Sequence, residues 1–92
     1  MLVGLARYDL RIPAAASLKE KRHVVKGLTA GIRQKFNVSA AEVEARDHRQ
    51  LVVLGFAAVG EEAKDVRSCL DQVVTALRRH PVAEFLDHER EV

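Results

Sequence analysis

The sequence predicts a ferredoxin-like α+β sandwich, a four-stranded antiparallel sheet with two helices on one face. Three observations carry this. Residues 2–12 alternate with a period of two, whereas residues 18–36 and 61–80 repeat their apolar positions every three to four residues. The remaining chain holds three more strand-like runs, each bounded by a turn or breaker signal. The order is therefore β-α-β-β-α-β, which two right-handed crossovers close into one antiparallel sheet. A KH-like or other α+β order is the alternative. No linker, repeat or low-complexity segment interrupts the pattern, so one domain over residues 1–92 is expected.

In the first strand Leu2, Gly4, Ala6, Tyr8, Leu10 and Ile12 share one face, and Leu5, Arg7, Asp9 and Arg11 the other. Pro13 ends it. Ser17 and Glu20 then have the spacing of a capping box, in which the hydroxyl accepts from the N–H three residues on and the carboxylate reaches back to the serine N–H. Leu18, Val25, Leu28, Ile32 and Phe36 follow at helical spacing, with Val24 at the margin. Lys19, Arg22, His23, Lys26 and Arg33 fall on a different, exposed side, but Lys21 falls on the apolar side of the first turn. Asn37 is a stop signal.

Val38 to Asp47 reads as a second strand, with Ala41, Val43 and Ala45 opposite Glu42, Glu44 and Arg46. Asp47-His48-Arg49 is a turn. Residues 50–59 form a third strand whose nearly unbroken apolar run suits a central position covered on both faces. Gly60, Glu61 and Glu62 open the second helix, which buries Ala63, Val66, Leu70, Val73, Val74 and Leu77. Pro81 stops it, and Val82 to Val92 is a more polar edge strand.

Composition narrows the setting. Hydrophobic residues make up 48% of the chain, enough for a core, and charged residues 30%, with both signs mixed. Ninety-two residues is small enough that self-association is a fair expectation. Cys69 is the only cysteine, which suits a reducing compartment. No run approaches the roughly 18 apolar residues of a membrane span. A cytoplasmic protein is expected.

The net charge is only +2, so charge matters here through its placement. In the predicted topology one end of the molecule collects Arg11, Lys19, Lys21, Arg22, Arg46, Arg49, Arg78 and Arg79, against Glu20 and Asp47. His23, His48 and His80 lie close by. Glu61, Glu62, Glu89 and Glu91 belong to the opposite end. A basic end beside a helix N-terminus suits phosphate, and an RNA backbone would fit it without base contacts. The plainer reading is that Arg78, Arg79 and His80 complement a helix C-terminus and that Lys19 and Lys26 are solvated surface. Lys21 can snorkel, contact an anion, or pair with a carboxylate; the strand pattern does not favour Glu42 as that partner.

The expected register puts Leu5, Val52, Leu54, Phe56 and Ala58 on the open sheet face, an apolar patch that suits a second copy of the chain. Leu54-Gly55-Phe56-Ala57-Ala58-Val59 partly matches an RNA-recognition signature. The leading basic residue is replaced by Leu54, though, and the second stacking aromatic by Ala58. No metal-ligand spacing, nucleophile–base pair or cofactor motif is present. The loop after the first strand also lacks the glycines of an acylphosphatase phosphate loop.

The hexapeptide Ser17-Leu18-Lys19-Glu20-Lys21-Arg22, followed by Phe36-Asn37-Val38-Ser39-Ala40-Ala41-Glu42-Val43, resembles the YlxP-like family of small uncharacterised bacterial proteins. The likeness runs from Val3-Gly4-Leu5 to the last strand. It implies a ferredoxin-like fold and a bacterial cytoplasmic setting. Because the family's genes often neighbour those for translation initiation and ribosome maturation, it also implies an association with RNA or the ribosome. Many members carry an aromatic residue in the turn where this chain has Asp47-His48-Arg49. Three functions remain in order of preference: a non-enzymatic RNA- or ribosome-associated factor using the basic end, a homodimeric interaction module using the open face, and a small-anion or acyl-phosphate enzyme.

Overall fold

The computed structural model describes all 92 residues. Its elements are β1 (Leu2–Arg11), α1 (Leu18–Lys35), β2 (Ser39–Glu44), β3 (Leu51–Gly60), α2 (Ala63–Arg78) and β4 (Glu84–Glu91). The sheet order is β2-β3-β1-β4 with every neighbouring pair antiparallel. This is the ferredoxin-like α+β arrangement that the sequence pattern predicts.

Ser17 caps α1 from an extended conformation, its Oγ accepting from the Glu20 N–H at 3.1 Å. The return contact differs from the expected box: the Glu20 carboxylate accepts from the Ala16 N–H at 2.7 Å, one residue further back. Val25, Leu28 and Ile32 are buried as the spacing predicts, joined by Lys21 and by Thr29, whose hydroxyl donates to the Val25 carbonyl at 3.0 Å. The helix ends on an extended Phe36, and Asn37 does not take the left-handed form of a stop residue. In α2 the buried stripe is Val66, Leu70, Val73 and Leu77.

β1 follows its alternation, sending Gly4, Ala6, Tyr8 and Leu10 inward. Gly4 marks a close approach of sheet and helix: a Cβ there would overlap Val66 Cγ1 and come within 3.0 Å of Leu70 Cδ1.

β3 corrects the expected open face. Ala6 opposes Phe56, Tyr8 opposes Leu54 and Leu10 opposes Val52, and directly opposed residues share a face. Val52, Leu54, Phe56 and Ala58 therefore lie beneath the helices, at most 3% exposed. Of the expected set only Leu5 stands on the open face, 50% exposed. The cause is the composition of β3. In an unbroken apolar run a one-residue shift changes every side chain's face without changing the pattern.

Leu5, Arg7 and Asp9 of β1, opposed by Ala57, Gly55 and Val53 of β3 and by Glu91, Glu89 and Asp87 of β4, build the open face. Arg7 pairs with Asp9 at 3.3 Å and with Glu44 at 2.9 Å, so its side chain spans from β1 across β3 to β2. Val43 closes over Gly55, where any Cβ would meet its Cγ1 at 2.8 Å. An extra residue in β4 shifts the register between Asp9 and Leu10. No aromatic residue lies on this face. Phe56, the aromatic of the partial RNA-recognition signature, packs in the core 5.1 Å from the Tyr8 ring.

Tyr8 is fully buried and its hydroxyl donates to the Leu70 carbonyl at 2.8 Å, joining the sheet to α2. Burial, and next the charge of Asp71, pushes its ionisation above the ordinary value of 10.0. The unfolded phenol therefore ionises first. Stability is unaffected by this group below about pH 10 and falls by about 1.4 kcal/mol per pH unit above it. Tyr8→Phe should remove that alkaline loss, measured by urea unfolding between about pH 9 and pH 11. At neutral pH the variant should cost about 1 kcal/mol for the lost hydrogen bond.

Candidate functional site

Three connections meet at one end of the sheet: residues 12–17, 45–50 and 79–83. The Ile12 N–H donates to the Gln50 carbonyl at 2.9 Å, and Gln50 Nε2 donates to the Pro13 carbonyl at 3.0 Å. His48 Nδ1 accepts from the N–H groups of Gln50 and Leu51, at 3.1 and 2.9 Å, and closes the β2–β3 turn. Val82 of the third connection lines a groove with Ile12, Ala14 and Ala15 of the first. The three loops form one surface.

Arg11, Lys19, Arg22, Arg46, Arg49, Arg78 and Arg79 are all exposed on this end. The Arg78 guanidinium lies 4.5 Å from the centre of the Phe85 ring, a cation–π contact that fixes its direction. Exposed acids are fewer: Glu20, Asp47, and Glu84 opposite Arg11. Most of the remaining acids lie elsewhere, with Glu61 and Glu62 at the far end and Asp87, Glu89 and Glu91 along β4. The molecule measures 42 × 21 × 19 Å. Ten-residue strands, at about 3.3 Å per residue, must run along the long dimension, so the two ends are well separated.

Lys21 does not belong to this surface. It is fully buried, its Nζ 2.9 Å from Glu42 Oε2 and donating to the Ala45 carbonyl at 2.5 Å. The contact with Oε2 lacks the alignment of a hydrogen bond, so the two charges meet as an ion pair while the carbonyl takes the directed bond. Strand alternation argued against Glu42 as the partner, and the register reverses this. Glu42 opposes Leu54 and so faces the helices. A bulge between Glu42 and Glu44 then turns Glu44 to the open face, opposite Val53. The bulge leaves no trace in the residue pattern. The signal that was present is Lys21 itself, a cation on the apolar side of a helix that had to find a carboxylate.

Ala45, whose carbonyl Lys21 holds, has a positive φ of 58°. A residue with a Cβ pays roughly 1–2 kcal/mol for that conformation, which persists only where its surroundings fix it. Lys21 thus anchors the first residue of the turn that carries Arg46 and Arg49. Ser17 holds the helix start, and Lys19 and Arg22 project from the same turn as Lys21 but toward solvent.

The Ser17 hydroxyl is engaged as a helix cap, and Cys69 is half-buried on α2. No helix is long and apolar enough to cross a membrane.

Fold and charge together define a small ferredoxin-like α+β sandwich with a basic end. Residues 3–90 match the family described as Protein of unknown function (DUF503), and the chain belongs to that family. It is similar to the Uncharacterized protein YlxP of Bacillus subtilis (strain 168), with 34% identity over 83 residues that cover 90% of each chain. This agrees with the resemblance carried by the Ser17–Arg22 hexapeptide.

Lys21→Ala should destabilise the protein by about 3 kcal/mol, because it strands Glu42 beneath the helix layer. The double variant Lys21→Met with Glu42→Leu should recover most of that loss in equilibrium urea unfolding.

Proposed function

We propose that the protein is a non-enzymatic RNA- or ribosome-associated factor that grips phosphates with its basic end. The observation that carries this reading is the convergence of seven exposed cations on one end of the molecule, where three loops meet and two of them, 12–17 and 45–50, are hydrogen-bonded to each other. Several cations spread over one end suit a polyanion better than a lone ion. The acidic strip of β4 on the open face repels the same polyanion, which favours end-on binding.

Affinity for structured RNA or small ribosomal subunits should fall about 100-fold between about 50 and about 200 mM salt, as expected for roughly four phosphate contacts. Charge reversal at Lys19, Arg22, Arg49 and Arg79 should abolish binding without changing the circular dichroism spectrum, since all four are exposed. Tight binding that ignores both salt and these substitutions would overturn the proposal.

A second reading, a homodimer through the open face, is favoured by one feature. Val3 lies opposite Val59 and Leu5 opposite Ala57, and Val3, Leu5 and Val59 are each at least half exposed. Leu5→Glu should turn a dimer into a monomer in light scattering, and a monomer in both proteins rejects it. Leu54 cannot serve in such a test because it is fully buried.

A further inference from the structure

Beside the cations lies an open groove of about 600 Å³, within the range of small-ligand sites. One wall is the first two turns of α1 and the other is the α2–β4 loop at Val82. Its floor is apolar, formed by Ile12, Ala15 and Val24, while Lys19 and His23 stand on its rim. A backbone-binding surface needs no apolar slot. An occupant that complements this one carries an anion for the rim and an apolar body for the floor.

Building on the proposed phosphate reading, we infer that the groove receives one unstacked base of a single-stranded RNA, with the adjoining phosphate held by Lys19 and Arg22. Two further features favour a nucleobase over a purely apolar group. Glu20 stands on the rim with Oε2 occupied by the Ala16 N–H, and Oε1 makes no bond within the protein. A carboxylate oxygen there repels phosphate but accepts from the amino or imino groups on a base edge. The Ser17 side chain also lines the groove and adds a second polar edge. With His23 on the rim as the one aromatic ring in the lining, the base packs mainly against aliphatic side chains, and the gain is at the low end of that measured for stacking platforms.

The test uses three fluorescein-labelled RNAs read by anisotropy: a single strand, the same strand annealed to its complement, and the same strand carrying abasic sites. The single strand should bind about tenfold more tightly than either of the others. Ala14→Phe, an exposed position on the groove, should reduce single-strand affinity to the duplex level and leave duplex affinity unchanged. Val82→Asp, on the opposite wall, provides the same test by a different chemistry, and thermal melting checks that both variants fold. Equal affinity for all three RNAs, with both variants silent, overturns the base pocket and leaves the phosphate reading standing. Absence of salt-dependent binding to any RNA removes both. Binding of an acidic peptide in place of every RNA also overturns the inference and assigns the groove to a protein partner.

Discussion

A buried ammonium ties this fold together. Lys21 leaves water completely, and the effective desolvation of such a charge amounts to several kcal/mol. Its partners come from the strand and the turn that follow its own helix in the chain, so the pairing fixes α1 against β2. With Glu42 turned inward, strict alternation would turn Glu44 inward as well, into an apolar core with no second cation. The bulge between them sends Glu44 to the other face, where Arg7 meets it. One buried cation thus accounts for an inward carboxylate, a break in the strand and an ion pair across the sheet. A buried ion pair seldom surpasses a well-packed apolar pair in stability. What it contributes here is the register of an edge strand whose own residues specify it poorly.

The hexapeptide around Lys21 divides its labour by direction. Ser17 and Glu20 satisfy backbone donors at the helix start, Lys21 turns inward, and Lys19 and Arg22 turn outward. The outward pair inherits its placement from the inward residues. Anchoring the helix start fixes the backbone from which Lys19 and Arg22 project.

Legibility followed contrast in the sequence. β1 alternates apolar with charged side chains, and α1 spaces its apolar residues at the helical period, so both were readable along with the topology that gathers the basic end. β3 has little contrast, and its register became visible only through its pairing with Tyr8 and Leu10. In β2 the inserted residue shifts the alternation without altering composition. The angular position of Lys21 was legible, but its partner was not, because the partner depends on both of those hidden registers. The groove was equally out of reach, since Val24 and Val82 belong to segments far apart in the chain that only the folded layers bring together.

The two outer strands also bear on how the protein behaves in a crowded solution. An exposed strand edge is a template on which another chain can add, and sheets that grow this way become fibrils. β4 answers this with a run of mostly charged residues and an irregular register, both of which disfavour a flat incoming strand. β2 is short and bulged, and the Ala40 carbonyl already accepts from Arg33 Nη1 at 3.1 Å. Neither outer edge of a sheet with so apolar a central strand therefore offers a flat, regular template to an incoming chain.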